Sequence, residues 1–288
     1  MISPPSAPSP EQVALRLDAL RAVFREMGQV LVTFSGGVDS ALVLCVAHLE
    51  LGEGAVGLTA VSPTFPPEEL EETVRLAGAL GARHLLVDSA ELEREGYAQN
   101  AGDRCFHCKT ELYELAQHHA QALGFPWIAD GTIQDDLGEH RPGLVAADRA
   151  AVRHPLLEAG FDKATVRAAA LSLGLPVWDK PAFSCLGSRF PVGTRVTVGR
   201  IRQVQRVESV LRTFGLRAFR ARWHELEGRP MLRLELDPSE MGALADDALR
   251  RAVVEVARAE GFSWVTLDLE GYKRGSLSHA LGPSTTTA

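Results

Sequence analysis

The chain has 288 residues, room for one large domain or two of ordinary size. Hydrophobic residues make up 45% and charged residues 23%, which excludes a disordered chain, and no apolar run approaches the ~20 residues of a membrane-spanning helix. The 30 basic residues against 37 acidic ones leave a net charge of −7, an argument against an extended nucleic-acid surface.

In chain order, MISPPSAPSP has neither a basic group nor an apolar stretch, so residues 1–11 are expected to be a disordered lead-in and the protein to be cytoplasmic. Glu11 to Glu26 has helical periodicity. Val30–Phe34 is an apolar run that stops at Ser-Gly-Gly, the mark of a buried strand. Helices follow at Asp39–Leu51, Glu68–Leu80 and Lys109–Leu123, and strands at Ala55–Val61, His84–Val87 and Trp127–Ala129. Strand and helix alternate throughout, which predicts an α/β fold: a doubly wound parallel sheet with helices on both faces. After Pro191 the pattern changes. Gly199–Phe214 and Pro238–Glu260 are helical. Leu216–Arg222 and Met231–Leu236 alternate as strands joined through Gly-Arg-Pro, and Trp264–Leu269 is a strand. A smaller α+β domain is expected over 196–278 after a first domain over 12–195, with 279–288 a disordered tail.

Ser35-Gly36-Gly37-Val38-Asp39-Ser40 follows a strand and opens a helix. Two glycines let backbone N–H groups approach an anion, and the helix N-terminus adds unsatisfied donors and a favourable dipole. Ser35 and Ser40 can donate hydroxyl hydrogen bonds, and Asp39 is placed to orient Mg²⁺ or the loop itself. No Gly-Lys-Ser/Thr follows, so this loop is not a Walker loop, and it does not read as the dinucleotide GxGxxG either. A plain capped strand–helix turn would use similar residues. SGGVDS, however, resembles the PP-loop of the ATP pyrophosphatases, which implies ATP binding and adenylation of an oxygen.

The four cysteines are Cys45, Cys105, Cys108 and Cys185. Structural disulfides are not expected in the cytosol. Cys105 and Cys108 form a CxxC just before a predicted helix, a spacing at which two thiols can grip one metal centre. A redox pair and a chance pair are the competing readings. Cys185 lies in a Ser/Gly loop near Arg189 and Lys180, which favours a thiolate, and Cys45 is expected in the core.

Together SGGVDS, RCFHCK, DGTIQDD, HPLLEAGFDKATVR, LGLPVWDKPAFSCLGSRFPVGT and TLDLEGYKRGS resemble LarE over about residues 12 to 280. LarE is a family of ATP-dependent sulfur transferases that serve the nickel-pincer nucleotide cofactor of lactate racemase. The resemblance implies a small mononucleotide substrate, pyridinium-3,5-biscarboxylic acid mononucleotide, whose carboxylates are adenylated and then converted to thiocarboxylates. It implies ATP and Mg²⁺ as cofactors and a homo-oligomer, a hexamer built from trimers. Two sulfur sources occur in the family. One is a sacrificial cysteine at the position of Cys185, left as dehydroalanine. The other is a [4Fe–4S] cluster on three cysteines with one iron open, here Cys105, Cys108 and Cys185. The extra CxxC favours the cluster.

Between Arg189 and Arg233 there are 11 arginines and three glutamates. A solvated helix face is one reading and a phosphate-binding patch the other. Arg220 and Arg222 alternate on one strand face within FRARWH, which resembles the family's substrate-side motif, and with Arg189 they are candidates for the substrate phosphate. Asp130, Asp135 and Asp136 either face nucleotide or Mg²⁺ or form turns. Glu270-Gly271-Tyr272-Lys273-Arg274 is a candidate closing segment for the active site or an interface. Competing functions are a tRNA thiolase, which should show a basic surface, an amide-forming ligase like NAD synthetase, and a non-catalytic nucleotide-binding module.

Overall fold

The computed structural model describes residues 8–137, 142–181 and 184–273. In chain order these form α1 (Pro10–Met27), β1 (Val30–Thr33), α2 (Val38–Leu51), β2 (Ala55–Val61), α3 (Pro67–Leu80), β3 (Arg83–Asp88), α4 (Glu95–Gln99), α5 (Arg104–Leu123) and β4 (Trp127–Ala129). They continue with α6 (Pro142–Arg149), α7 (Pro155–Glu158), α8 (Lys163–Ser172), α9 (Val198–Thr213), β5 (Phe219–Leu226), β6 (Arg229–Leu236), α10 (Asp247–Ala259) and β7 (Trp264–Leu267). Residues 1–7 of the expected lead-in, the expected tail at 279–288, and Arg274 lie outside the described residues. Ser9, Pro10 and Glu11, expected in the lead-in, instead start α1. The Ser9 hydroxyl accepts from the Gln12 amide and the Gln12 side chain accepts from the Ser9 amide, a reciprocal cap that contributes about 1 kcal/mol. Among the described residues no helix is long and apolar enough to cross a membrane.

The chain divides into two compact units. The first comprises Met1–Ser62, Pro67–Glu91 and Cys105–Phe183; the second comprises Pro63–Pro66, Leu92–Arg104 and Ser184–Ala288. Residues 184–195, expected in the first domain, thus pack with the second. Arg189 pairs there with Glu208 of α9, and the Asn100 side chain donates to the carbonyls of Pro191 and Thr194.

The first unit holds a parallel sheet of order β3-β2-β1-β4. β1 is buried along its whole length because helices cover both faces, which explains its uninterrupted apolar sequence. Val30 and Val32 face a core built with α1, α2 and α8, whereas Leu31 faces a core built with Tyr113, Ala116 and Ala120 of α5 and Ala146 and Ala147 of α6. The alternation of side chains along a strand therefore assigns consecutive residues to opposite cores. Arg153 extends the sheet by one parallel bridge to Ala129.

The second unit holds a sheet of order β5-β6-β7, with β5 antiparallel to β6 and β7 parallel to it; α9 and α10 pack together. The hairpin turn is Glu227-Gly228, not the expected Gly-Arg-Pro. Both residues have positive φ, 51° and 74°, which a two-residue turn matched to strand twist requires. Pairing therefore runs on to Leu226 and Arg229. The helix expected over 238–260 is also shorter. Asp246 accepts from the Ala248 amide and starts α10 afresh after a tight turn at Met241–Ala245.

Candidate active site

The Ser35-Gly36-Gly37 loop sits at the C-terminal end of β1, the edge where open parallel sheets bind ligands. Gly36 has φ 71°, and a Cβ there would lie 2.2 Å from the Thr73 hydroxyl, so the position needs glycine twice over. Gly37 is the N-cap of α2, and no side chain caps that helix among the described residues. The Ser40 hydroxyl instead turns back into the loop. It accepts from the Ser35 amide at 3.2 Å, donates to the Gly37 carbonyl at 3.1 Å and lies 3.2 Å from the Ser35 hydroxyl. The sequence-predicted Ser35, Gly36, Gly37 and Ser40 are thus one structural unit, with the α2 amides directed past it.

Asp39 makes a contact that sequence reasoning missed. Both its carboxylate oxygens accept from the Lys163 ammonium, at 2.8 and 2.7 Å, where α8 begins. Lys163 stands 124 residues away, so no local spacing announces the pair. Asp135 and Asp136 serve backbone: Asp135 accepts from the Lys163 amide at 2.9 Å and Asp136 from the Ile133 amide at 3.1 Å. Lys180 bridges to Glu69 and Glu72 of α3, at 2.7 and 2.9 Å.

Asp130 is buried just past the end of β4. Tyr113, the Thr132 amide and His154 all donate to it, at 2.8, 3.0 and 2.7 Å. Burial by itself raises this carboxyl. The hydrogen bond from His154 and the charges of Lys109 and His154 outweigh burial and hold it down at about 2. Conversely, the bond to Asp130 raises His154 above its ordinary value against the opposing effect of burial.

Cys105 and Cys108 do not precede α5 but lie in its first turn, because the helix begins at Arg104. Three residues apart, they share one face. Cys105 is exposed and Cys108 half-buried, so neither is committed to core packing, whereas Cys45 is buried and its thiol pushed up by burial. Among the described residues no three His, Cys, Asp or Glu side chains gather as one metal-binding group.

In the second unit Cys185 precedes a single tight turn, Leu186–Arg189, and is half-buried. Arg189 is 2% exposed and its guanidinium is fully engaged. It pairs bidentately with buried Glu208 at 2.7 and 2.9 Å and donates to the Ser184 carbonyl and hydroxyl, the Cys185 carbonyl and the Ser188 hydroxyl. The structure therefore places Arg189 as the clamp of the Cys185 loop. Arg222 donates to the Ser188 carbonyl at 2.8 Å and to buried Glu235 at 2.7 Å. Arg220 stacks on the Tyr272 ring, 4.6 Å from its centre, and donates to its hydroxyl at 3.2 Å.

The group is electropositive. Burial, then the charge of Arg189, push Arg220 down to about 10, although Tyr272 and Glu208 oppose this. Burial and the charges of Arg233 and Arg222 push His224 down to about 4, so its neutral ring accepts from Arg233 at 3.1 Å. Such a potential favours an anion. The 11 arginines divide: Arg202 and Arg206 of α9 are exposed, as a solvated helix face requires, whereas Arg189 and Arg222 are buried and ion-paired. Glu208 and Glu235, whose single letters gave no sign of burial, neutralise part of the cluster.

No family model matches the chain. It is 42% identical over 266 residues to an uncharacterized protein of Synechocystis sp., covering 92% of this chain and 98% of that one. It is 34% identical over 272 residues to pyridinium-3,5-bisthiocarboxylic acid mononucleotide synthase of Lactiplantibacillus plantarum, covering 93% and 96%. A glutamine-hydrolysing GMP synthase of Aeropyrum pernix matches at 27% over 220 residues, 68% of this chain and 42% of that protein. With a phosphate loop on a parallel sheet and near-complete coverage of the synthase, the chain belongs to the LarE family of PP-loop enzymes.

Proposed function

We propose that this protein is an ATP-dependent sulfur transferase that adenylates the carboxylates of pyridinium-3,5-biscarboxylic acid mononucleotide and converts them to thiocarboxylates. The observation that carries this reading is the 34% identity to the synthase over 93% of the chain. A carboxylate oxygen of the substrate attacks the α-phosphorus of ATP, and the bond to pyrophosphate breaks. Ser35, Gly36, Gly37 and Ser40 with the α2 amides hold the phosphates, where fixed donors stabilise the charge that builds on the leaving group. Asp39 would hold Mg²⁺, which when bound would neutralise phosphate charge; in this structure both Asp39 oxygens are paired with the Lys163 ammonium, which the ion would have to displace. Where the Cys185 sulfur is the nucleophile, it attacks the acyl carbon and the bond to AMP breaks to give a thioester; loss of the Cys185 Cα proton then breaks its Cβ–S bond, leaving dehydroalanine and releasing the thiocarboxylate. Arg220 and Arg222 bind the substrate phosphate, and Arg189 holds the loop.

The chemistry of the thiols fits an iron–sulfur centre: Cys105 and Cys108 share one helical turn and none of the three thiols is fully buried. Cys105, Cys108 and Cys185 would hold a [4Fe–4S] cluster, which when bound supplies a replaceable sulfide. By family resemblance the enzyme is a homo-oligomer. The test is anaerobic purification with iron and acid-labile sulfide determined beside Cys105→Ala. About four of each per chain, lost in the variant, is the expected result. No iron in an iron-replete preparation overturns the cluster. Loss of the Cys185 sulfur, read by intact mass after turnover, would then identify a sacrificial donor. Pyrophosphate release that does not depend on the pyridinium mononucleotide overturns the transferase reading as a whole.

A further inference from the structure

Three parallel segments of the first unit end at one edge of its sheet: β1, β4 and the bridge residue Arg153. The residues that follow them are the phosphate loop, Asp130-Gly131-Thr132 and His154. Asp130 ties the three together. Its amide donates to the Arg153 carbonyl at 3.2 Å. One carboxylate oxygen accepts from the Thr132 amide and from His154 Nδ1, and the other accepts from Tyr113. The turn held in this way carries Gly131, where a Cβ would lie 2.9 Å from the Ser40 amide nitrogen and 3.1 Å from the Asp39 carbonyl carbon. There is no slack between turn and loop. A shift of a few tenths of an ångström at Asp130 reaches the first turn of α2 directly.

We propose that Asp130 and His154 form a positioning dyad for the phosphate loop. The imidazolium of His154 holds Asp130, Asp130 holds the Gly131–Thr132 turn, and the turn sets the α2 amides that receive the triphosphate. His154 thus governs nucleotide affinity as a positioning residue that acts through Asp130. This rests on the adenylation reading above. Four groups besides Asp130 complete the surroundings of His154. Asp148 of α6 and Glu158 of α7 add negative charge, and Glu158 is itself paired with Arg153. Lys109 and Tyr113 of α5 act through Asp130. The bond to Asp130 keeps the imidazolium above its ordinary range while Asp130 stays ionised. The charged pair is complete in acid and neutral solution and is lost as pH rises through the raised value of His154. Tyr113, pushed up mainly by burial, stays neutral over that range.

The experiment is equilibrium binding of Mg-ATP to the full chain from about pH 6 to 9, with His154→Gln and His154→Phe alongside. Affinity of the native protein is expected to fall on the alkaline side. His154→Gln keeps a donor that does not titrate and is expected to give a flat profile. His154→Phe is expected to bind about tenfold or more weakly throughout and to raise the KM for ATP more than it lowers kcat. Native-like affinity and an unchanged pH slope in both variants would overturn the dyad. So would an unchanged slope in His154→Gln alone, which keeps the test open if His154→Phe does not fold. A native protein that binds no ATP at any pH brings down the adenylation reading itself, an outcome distinct from unaltered variants.

Discussion

At the scale of single residues, small side chains carry as much of the site as reactive ones. Gly131 shows this best. It has no unusual φ, and its constraint is the backbone of α2, 2.9 Å from where a Cβ would stand. Backbone cannot swing aside as a flexible side chain can. Gly131→Ala should therefore displace the phosphate loop and weaken ATP binding about tenfold or more, while the thermal midpoint falls by only a few degrees. Calorimetric titration with Mg-ATP beside a melting curve checks both halves. Unchanged binding would mean that the turn and loop are not coupled. The motif SGGVDS was legible in sequence because its chemistry is local. The partners of Asp39 and Asp130 were not, because Lys163 and His154 come from remote parts of the chain.

At the scale of elements, the Cys185 loop depends on a helix that never touches a reacting atom in the proposed chemistry. Glu208 of α9, with no solvent exposure, accepts from Arg189 and from the Ala221 amide of β5. Burial raises its carboxyl, but the charge and hydrogen bonds of Arg189 prevail and lower it. Removing that charge leaves Arg189 buried without its counterion, at a cost of about 3–5 kcal/mol. Glu208→Gln should lower the urea midpoint accordingly and raise the alkylation rate of the Cys185 loop by loosening it. A midpoint within error of native would show that the pair contributes no net stability. The elements themselves followed from periodicity, and their ends did not. The CxxC was read as preceding a helix, yet α5 starts at Arg104. Period shows the face of a helix and says little about its first residue.

At the scale of the whole molecule, acid sensitivity is the accessible property. Asp130 is held at about 2 against an ordinary 3.8. A depressed carboxyl contributes stability that is present above its unfolded value and is lost as pH falls through the folded one. The difference corresponds to about 2 kcal/mol, lost between about pH 4 and 2. Glu208 and Glu158 are lowered too and act with the same sign. Asp130→Asn should therefore be less stable than native near neutral pH, and the gap should close as pH approaches 2, followed by chemical denaturation at each pH. A gap independent of pH would assign the loss to packing.

By itself the sequence determined the alternation of strands and helices, the parallel sheet, the glycine turn that opens α2 and the family, because each is written in short-range pattern: apolar period, glycine placement, contiguous motif. The tertiary structure alone decided which charges meet. It put Arg189 on Glu208, Arg222 on Glu235, Lys163 on Asp39 and His154 on Asp130, and it moved residues 184–195 into the second unit. The reason is physical. A buried ion must find its partner wherever the fold brings one, and that distance is measured through the core rather than along the chain.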